Sequence, residues 1–435
     1  MERINLPMHV EFLLNRLQDA GYEAYVVGGC VRDSLMDIAP HDWDICTSAL
    51  PEQVMQIFED KNVVPTGIKH GTVTVILEPY SVGVDNAFEI TTYRIEGDYK
   101  DNRHPEYLEF VSDLSLDLMR RDFTINAMAY NHQDGLVDLY GGVDDIKDRV
   151  IKCVGNPDDR FQEDALRIIR TLRFALRFGF DIDLETYNAM QRNKYLLKNI
   201  SAERISSELV KIISSTDFSG SNKRIVEYLL KTIDIYINED IVRDIDLVIE
   251  ELVGAKGNIP VALSAIFDYE NIEDILKRLR FSNDIVDATV TINEYGYKIL
   301  YESHYWANNG DIGKSLKDCS IELRYYARKL LNSITSCPVE SVIDFAKPLT
   351  KGNKYLRIYL ERLKAQVRYC IEYNEVYKIS YLAVNGNDLL NLGYKGKEIG
   401  NALNQLLDMV MKEEVQNVKE DLLYALRVIE NNKKE

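Results

Sequence analysis

Near Pro157 the hydrophobic period of this chain changes, and that change limits the folds open to it. Before it, short β-rich runs alternate with short helical signals. Ala24–Val27 runs into Gly28-Gly29, a short helix is expected over about Val31–Leu35, and a second strand over Trp43–Cys46. Ser48 can cap a helix over Pro51–Phe58, with proline at a tolerated first-turn position. Thr72–Leu77 and Phe88–Tyr93, rich in Thr, Val, Ile and aromatics, read as strands. After Pro157, helical spacing takes over. Ala165, Leu166, Ile168, Ile169, Leu172 and Leu176 place one helix over Phe161–Phe178, with Gly179 as its C′ residue. Ser201, with Arg204 and Glu208, opens another, and Gly/Asn breaks near 254–258, 307–313 and 385–400 separate those that follow. The expected fold is an N-terminal α/β domain, a mixed sheet with helices on one side, then a long all-helical remainder. At about 150 residues per domain, the 435 residues suggest roughly three domains.

Charge narrows the function classes. The chain carries 52 Lys+Arg against 70 Asp+Glu, a net charge of −18. Indiscriminate coating of nucleic acid needs a basic surface, so that class is excluded, whereas a local basic groove is not. No run of 18 apolar residues offers a membrane span. The first residues mix charge with apolar side chains and do not read as a signal peptide. Six cysteines, at 30, 46, 153, 319, 337 and 370, contain no CxxC pair; reduced thiols and a cytoplasmic location are expected.

The most informative segment is GGCVRDSLMDIAPHDWDICTS, Gly28–Ser48. On an extended strand Asp42 and Asp44 point to the same side, with Trp43 and Ile45 opposite. Adjacent carboxylates repel unless a cation lies between them, and oxygen ligands with room for water and phosphate suit Mg²⁺. Such pairs carry phosphoryl and nucleotidyl transfer. Gly28-Gly29 allows close backbone approach to a phosphate, the following helix start offers free N–H groups, and Arg32 adds a two-pronged phosphate donor. A DxD or a GG alone is usually surface charge or a turn; their order here is what carries weight.

This segment resembles the signature of the DNA polymerase β-type nucleotidyltransferases, in particular class II tRNA nucleotidyltransferases (CCA-adding enzymes) and the related bacterial poly(A) polymerases. GGCVRD is similar to the family's GGxVRD and HDWDICTS to its DxDxxT/S. The resemblance implies a polymerase β-like α/β nucleotidyltransferase domain followed by an elongated all-α portion. It divides the chain into head (1–155), neck (156–215), body (216–340) and tail (341–435). It assigns Mg²⁺ to Asp42 and Asp44 and nucleotide contacts to Gly29 and Arg32. Glu89 in FEITTYR stands as a third carboxylate, or as a surface charge beside Thr91 and Arg94. RRDFTINAMAY, Arg120–Tyr130, resembles the family's RRDFTxNA block, in which Arg121 contacts nucleotide. Asp122 is expected to cap a short helix and Asn126 to hydrogen-bond backbone. Gly97–Phe110 resembles the flexible loop of complete CCA-adding enzymes, with His104 where that loop often shows a second Arg.

RFQEDALRIIRTLRFALRFGF, Arg160–Phe180, carries Asp164 and Arg167 at i and i+3, on one face of the expected helix. Arg160, Arg167, Arg170, Arg173 and Arg177 stand against only Glu163 and Asp164. A stripe of arginine without lysine suits planar recognition and phosphate better than solubility. The resemblance to EDxxR implies a protein template for the incoming base. Cytosine and adenine each present an amine beside a ring-nitrogen acceptor. Asp164 would accept from the amine and Arg167 donate to the nitrogen. Uracil and guanine reverse both partners, a mismatch of several kcal/mol. Arg170 and Arg173 would hold base or triphosphate.

Tyr381–Val410, with Gly386, Asp388, Gly393, Gly396 and Gly400, resembles the tail of short bacterial CCA-adding enzymes, which implies contact with the tRNA elbow. Its plain alternative is a helical hairpin capped by Asp388. Gly310–Ser315 imitates a phosphate loop, but position 308 is Asn, not Gly. The implied activity is addition of CCA to tRNA 3′ ends from CTP and ATP. The alternatives are A-only or CC-only addition, poly(A) synthesis, or a non-catalytic tRNA-binding module.

Overall fold

The first helix, α1 (Met8–Asp19), buries Val10, Leu13, Leu14 and Leu17, one stripe of its surface. The stripe packs on a sheet; the structure, a computed structural model, describes residues 3–78, 86–97, 107–237, 244–267, 271–309 and 318–432. β1 (Ala24–Val27) has all four side chains buried, which requires cover on both faces. Then come α2 (Gly29–Leu35), β2 (Ile45–Thr47), α3 (Pro51–Ile57), β3 (Asn62–Gly67), β4 (Thr72–Ile76) and β5 (Ala87–Thr92). β6 (Arg94–Glu96) and β7 (Leu108–Phe110) form a separate antiparallel hairpin. They are followed by α4 (Leu114–Met119), β8 (Met128–Asn131), β9 (Gly135–Asp138), α5 (Gly142–Lys147) and β10 (Val150–Ile151).

Seven strands make one mixed sheet, in the order β3-β4-β5-β2-β1-β8-β9; β2 and β5 run parallel and the other neighbours antiparallel. Ala24 and Val26 face α1, α2 and α3, through Leu13, Val31 and Val54. Tyr25 and Val27 face the opposite side, where Leu114 and Leu118 of α4 cover them. The sheet is therefore covered on both faces, not one: the period-two alternation of β1 is apolar on both sides.

The chain divides into two compact units, Met1–Val242 and Arg243–Glu435, a coarser division than the four parts implied by the sequence. The first unit continues through α6 (Pro157–Glu163), α7 (Leu166–Phe178), β11 (Asp181–Ile182), α8 (Leu184–Asn193), α9 (Ala202–Ser215) and α10 (Lys223–Ile237). β11 pairs in parallel with β10, a two-residue ladder inside the stretch expected to be wholly helical. The second unit holds α11 (Ile245–Ala255), α12 (Ile259–Ile266), α13 (Ile272–Arg278), α14 (Asn283–Asn309), α15 (Asp318–Ser333) and α16 (Val339–Ala346). After these come α17 (Lys354–Glu372), α18 (Gly386–Asn391), α19 (Lys397–Met411) and α20 (Lys419–Asn432). Its last helices pack around Leu389, Leu406, Leu407 and Leu422. At the start of α18 the cap is Asn385, not Asp388. Asp388 is the reciprocal partner, accepting from the Asn385 N–H at 2.9 Å and pairing with Lys419. The loop residues 98–106 and the phosphate-loop imitation at 310–315 lie outside the described residues.

Candidate active site

β1 ends at Gly28, whose φ of +81° glycine adopts without a steric penalty. Its N–H donates to Met128 O (3.1 Å) and its carbonyl accepts from Arg32 N (3.1 Å). A Cβ here would stand 3.0 Å from Nη1 of Arg121, so that guanidinium reaches the turn itself. At Gly29 a Cβ would meet Nη2 of Arg32 at 3.5 Å.

Asp42, Trp43 and Asp44 lie just before β2, not within it. Only one ladder bond extends to them, from Val27 N to Asp44 O (3.0 Å). The parallel register pairs Ile45 with Ile90, and one step back sets Asp44 beside Glu89 on the same side. Both are exposed. Partial desolvation raises the Asp44 carboxyl; Arg121 pulls it down, while Glu89 and Asp42 push it up again. Asp42 lies farther out, with a side chain 78% exposed and Oδ1 at 2.8 Å from Nδ1 of His41. Among the described residues no three His, Cys, Asp or Glu side chains gather closely enough to hold a metal. The donor set nevertheless fits a hard divalent cation: it is all oxygen, and the mutual repulsion felt at Asp44 is what such a cation relieves.

Arg121 is held from behind. Fully buried Asp117 accepts from Arg121 Nη2 (3.2 Å), from Arg120 Nη2 (2.7 Å) and from the Arg94 N–H (3.4 Å). Nothing in the spacing of DLMRRD announced this role. Arg32 departs from the exposed phosphate donor expected of it. It is buried, its Nε and Nη2 engage Asp33 (2.7 and 2.6 Å), its Nη1 engages Asn126 Oδ1, and Phe178 stacks on it at 4.8 Å. Asn126 therefore bonds side chains rather than backbone. Asp122 does not cap the short turn at Thr124–Asn126, whose cap position is Phe123. Its Oδ1 accepts from Phe123 N and the Asn126 amide, and its Oδ2 takes two bonds from Arg170 (2.6 and 2.9 Å).

The single helix expected over Phe161–Phe178 is two. It breaks at Asp164, whose φ of −141° and ψ of 101° end α6; Asp164 and Arg167 do not share a helix face. Asp164 binds the Leu166 N–H (3.1 Å) and both prongs of Arg204 (3.1 and 2.8 Å). Arg167, 9% exposed, engages Glu163 Oε2, Arg160 O (3.1 Å) and Arg120 O (2.9 Å). The rest of the arginine stripe is paired as well. Arg170 meets Asp122, Arg173 meets Glu208 (2.7 Å) and Arg177 meets Asp33 (3.7 Å). The acids that seemed too few within Arg160–Phe180 arrive from α2, from the turn after α4 and from α9. Arg204 and Glu208 stand four apart on α9, on one face, the spacing by which sequence alone could have turned both toward a single neighbouring segment.

The Asp122–Arg170 pair has a testable acid dependence. Burial alone would raise the Asp122 carboxyl; Arg170, the Asn126 amide and Arg167 outweigh it and hold it at about 2. An unfolded Asp titrates near ~3.9. The depressed value thus contributes stability, about 2 kcal/mol, that is present above pH ~4 and lost as pH falls toward 2. Asp122→Asn should lower the urea midpoint at pH 6, and its gap to the wild type should narrow as pH falls from about 5 to 3. A gap that stays constant over that range would trace the loss to packing rather than charge.

Two family models match the chain: the poly A polymerase head domain over residues 24–152, and a probable RNA and SrmB-binding site of polymerase A over residues 179–233. The CCA-adding enzyme of Limosilactobacillus fermentum is 31% identical over 419 residues, 95% of this chain and 94% of that protein. The CCA-adding enzyme of Ligilactobacillus salivarius is 46% identical over 201 residues, 46% of this chain; in such relatives the match spans about half the relative's length. The crystal structure of the Bacillus stearothermophilus CCA-adding enzyme in complex with CTP superposes with a TM-score of 0.73 at 28% identity, over 98% of this chain and 100% of that one. The Thermotoga maritima CCA-adding enzyme complexed with tRNA shares the fold, with a TM-score of 0.67 at 19% identity over 97% and 95% of the two chains. With a relative matched over nearly its whole length, and a GG turn, DxD and RRD assembled at the ends of the sheet's central strands, the chain belongs to the CCA-adding enzyme family.

Proposed function

We propose that this protein adds C, C and A in turn to the 3′ end of tRNA, from CTP and ATP, with no nucleic-acid template. The observation that carries the reading is the near-complete match to a CCA-adding enzyme, taken together with Asp44, Glu89 and Arg121 meeting beside the Gly28 turn. Asp42 and Asp44 would hold Mg²⁺, with Glu89 as a neighbouring third carboxylate. Bound there, the metal supplies charge neutralisation at the triphosphate and lowers the cost of ionising the tRNA 3′-hydroxyl. The turn at Gly28-Gly29 leaves room for phosphate against backbone. Arg121, fixed by Asp117, offers the positive charge nearest that turn. Asp164, at the break between α6 and α7, and Arg167 on α7 would select the base, with Arg170 and Arg173, farther along α7, near base or triphosphate. Arg32 acts from beneath, setting Asn126 and the Gly29 turn rather than reaching outward.

The tail, 341–435, is the proposed contact for the tRNA elbow, and the cytoplasm the proposed place of work; among the described residues no helix is long and apolar enough to cross a membrane. The test uses tRNAs ending at the discriminator, at C and at CC, each offered one nucleoside triphosphate with Mg²⁺. CTP should extend the first by two and the second by one, and ATP the third by one. Extension only of the CC-ended tRNA would make it an A-adding enzyme, and unlimited ATP addition a poly(A) polymerase. No extension of any substrate overturns the reading.

A further inference from the structure

The geometry points to Arg204 as a specificity-determining positioning residue: it decides which oxygen of Asp164 is left to meet the incoming base. This rests on the Asp164–Arg167 reading of the base. Because α6 ends at Asp164, its carboxylate is freed from the helix surface and turned toward α7 and α9. Three donors reach it. Oδ1 accepts from the Leu166 N–H at 3.1 Å and from Arg204 Nη1 at 3.1 Å; Oδ2 accepts from Arg204 Nη2 at 2.8 Å. Each carboxylate oxygen has about two acceptor positions. Oδ1 is therefore filled, and one position remains, on Oδ2.

A free carboxylate turns about a broad, two-fold terminal torsion and offers its acceptors in many directions. Gripped at both oxygens, this one cannot turn. An exocyclic amine fills the open position. A carbonyl set there meets an acceptor that cannot rotate away, which is the penalty that separates C and A from U and G. The site stays reachable, with the Asp164 side chain 20% exposed and that of Arg204 25%. Arg204 is itself anchored. One turn farther along α9, Glu208 is buried against Arg173 at 2.7 Å, so α9 meets α6 and α7 through two rungs of opposite polarity. Lysine at 204 would retain a charge and one bond but could not bridge the two oxygens.

The test compares wild type, Arg204→Gln, Arg204→Lys and Asp164→Ala, all as full chains. The readout is kcat and KM for CTP, UTP and the 2-pyrimidinone ribonucleoside triphosphate, a cytidine analogue with hydrogen in place of the amine. In Arg204→Gln the CTP:UTP ratio of kcat/KM should fall at least tenfold, through a raised KM for CTP with kcat little changed. The analogue, having no amine to lose, should be used as in the wild type. Arg204→Lys should fall between the two, and it decides the question by the same ratio should Arg204→Gln not fold. Equal losses for CTP, UTP and the analogue would make Arg204 a strut of the helices and overturn the proposal, as would an unchanged ratio in Arg204→Lys. Asp164→Ala separates the two levels. If it retains the wild-type ratio, the base-reading assignment itself falls; if it loses the ratio while the Arg204 variants keep it, only the present inference falls.

Discussion

Asp44→Asn is expected to slow nucleotide addition by about a thousandfold while the affinity for tRNA changes less than about twofold, because on the proposed reading several kcal/mol of transition-state charge stabilisation rest on the carboxylates that would hold the metal. The substitution keeps the size and the backbone bond that Asp44 O accepts from Val27 N, so the end of β2 has no reason to move. It should also leave the fold as stable as before, or more so. The Asp44 carboxyl is raised by desolvation and by the charges of Glu89 and Asp42, with only Arg121 opposing them. A group whose ionised form is disfavoured in the folded state costs stability at neutral pH, and an amide removes that cost. Activity and melting temperature should thus move independently, the mark of a residue placed for chemistry rather than folding. Single-turnover addition of CTP to a discriminator-ended tRNA, set beside a melt and a filter-binding titration, measures all three. Turnover within tenfold of wild type would remove Asp44 from the metal site. A fall in melting temperature that parallels the loss of rate would make its role structural.

The parts of this site that were legible are those written locally. The Gly28 turn, the short helix behind it and the spacing of Asp42 from Asp44 follow from backbone conformation and side-chain period over some twenty residues. Even there the strand begins later than the sequence suggests. Ile45, Cys46 and Thr47 are buried and paired, whereas Asp42 and Asp44 remain in extended chain just before the strand, where charge stays hydrated. The break at Asp164 was hidden because the apolar spacing continues through Phe161, Ala165, Ile168 and Leu172 without a Gly or Pro to interrupt it. What breaks it is an Asp with a better use for its carboxylate, on Leu166 N and Arg204. Least legible were the partners of the arginine stripe. Arg177 finds Asp33, Arg170 finds Asp122 and Arg173 finds Glu208, all outside the stripe itself. Local charge counting cannot see such pairs. A stripe that looks like free positive charge in the sequence is, in the fold, a set of buried and half-buried ion pairs tying α7 to the sheet domain and to α9.

That arrangement sharpens what Arg167→Ala should do. Its guanidinium spans from Glu163 and Arg160 O on α6 to Arg120 O beside the sheet domain, so it is the one member of the proposed base-reading pair tied to both. Glu163 would not be orphaned by its loss, since Arg160 Nη2 also binds it. The stability cost should therefore be modest, about 1–3 kcal/mol for the carbonyls left short of a donor. Choice of base should suffer far more. If Arg167 donates to the ring nitrogen as proposed, its removal forfeits one of two matched bonds, and sites built on such bonds reject analogues by factors of about 10⁴ or more. Loss of one should lower the CTP:UTP ratio of kcat/KM by about a hundredfold. The ATP:GTP ratio on CC-ended tRNA should fall to a similar extent, because cytosine and adenine would present the same amine-and-nitrogen pair to the two side chains proposed to read them. That shared fall is the discriminating result. A loss confined to CTP, with ATP:GTP intact, would mean that the two bases are read by different residues, and unchanged UTP misincorporation would take Arg167 out of base reading altogether.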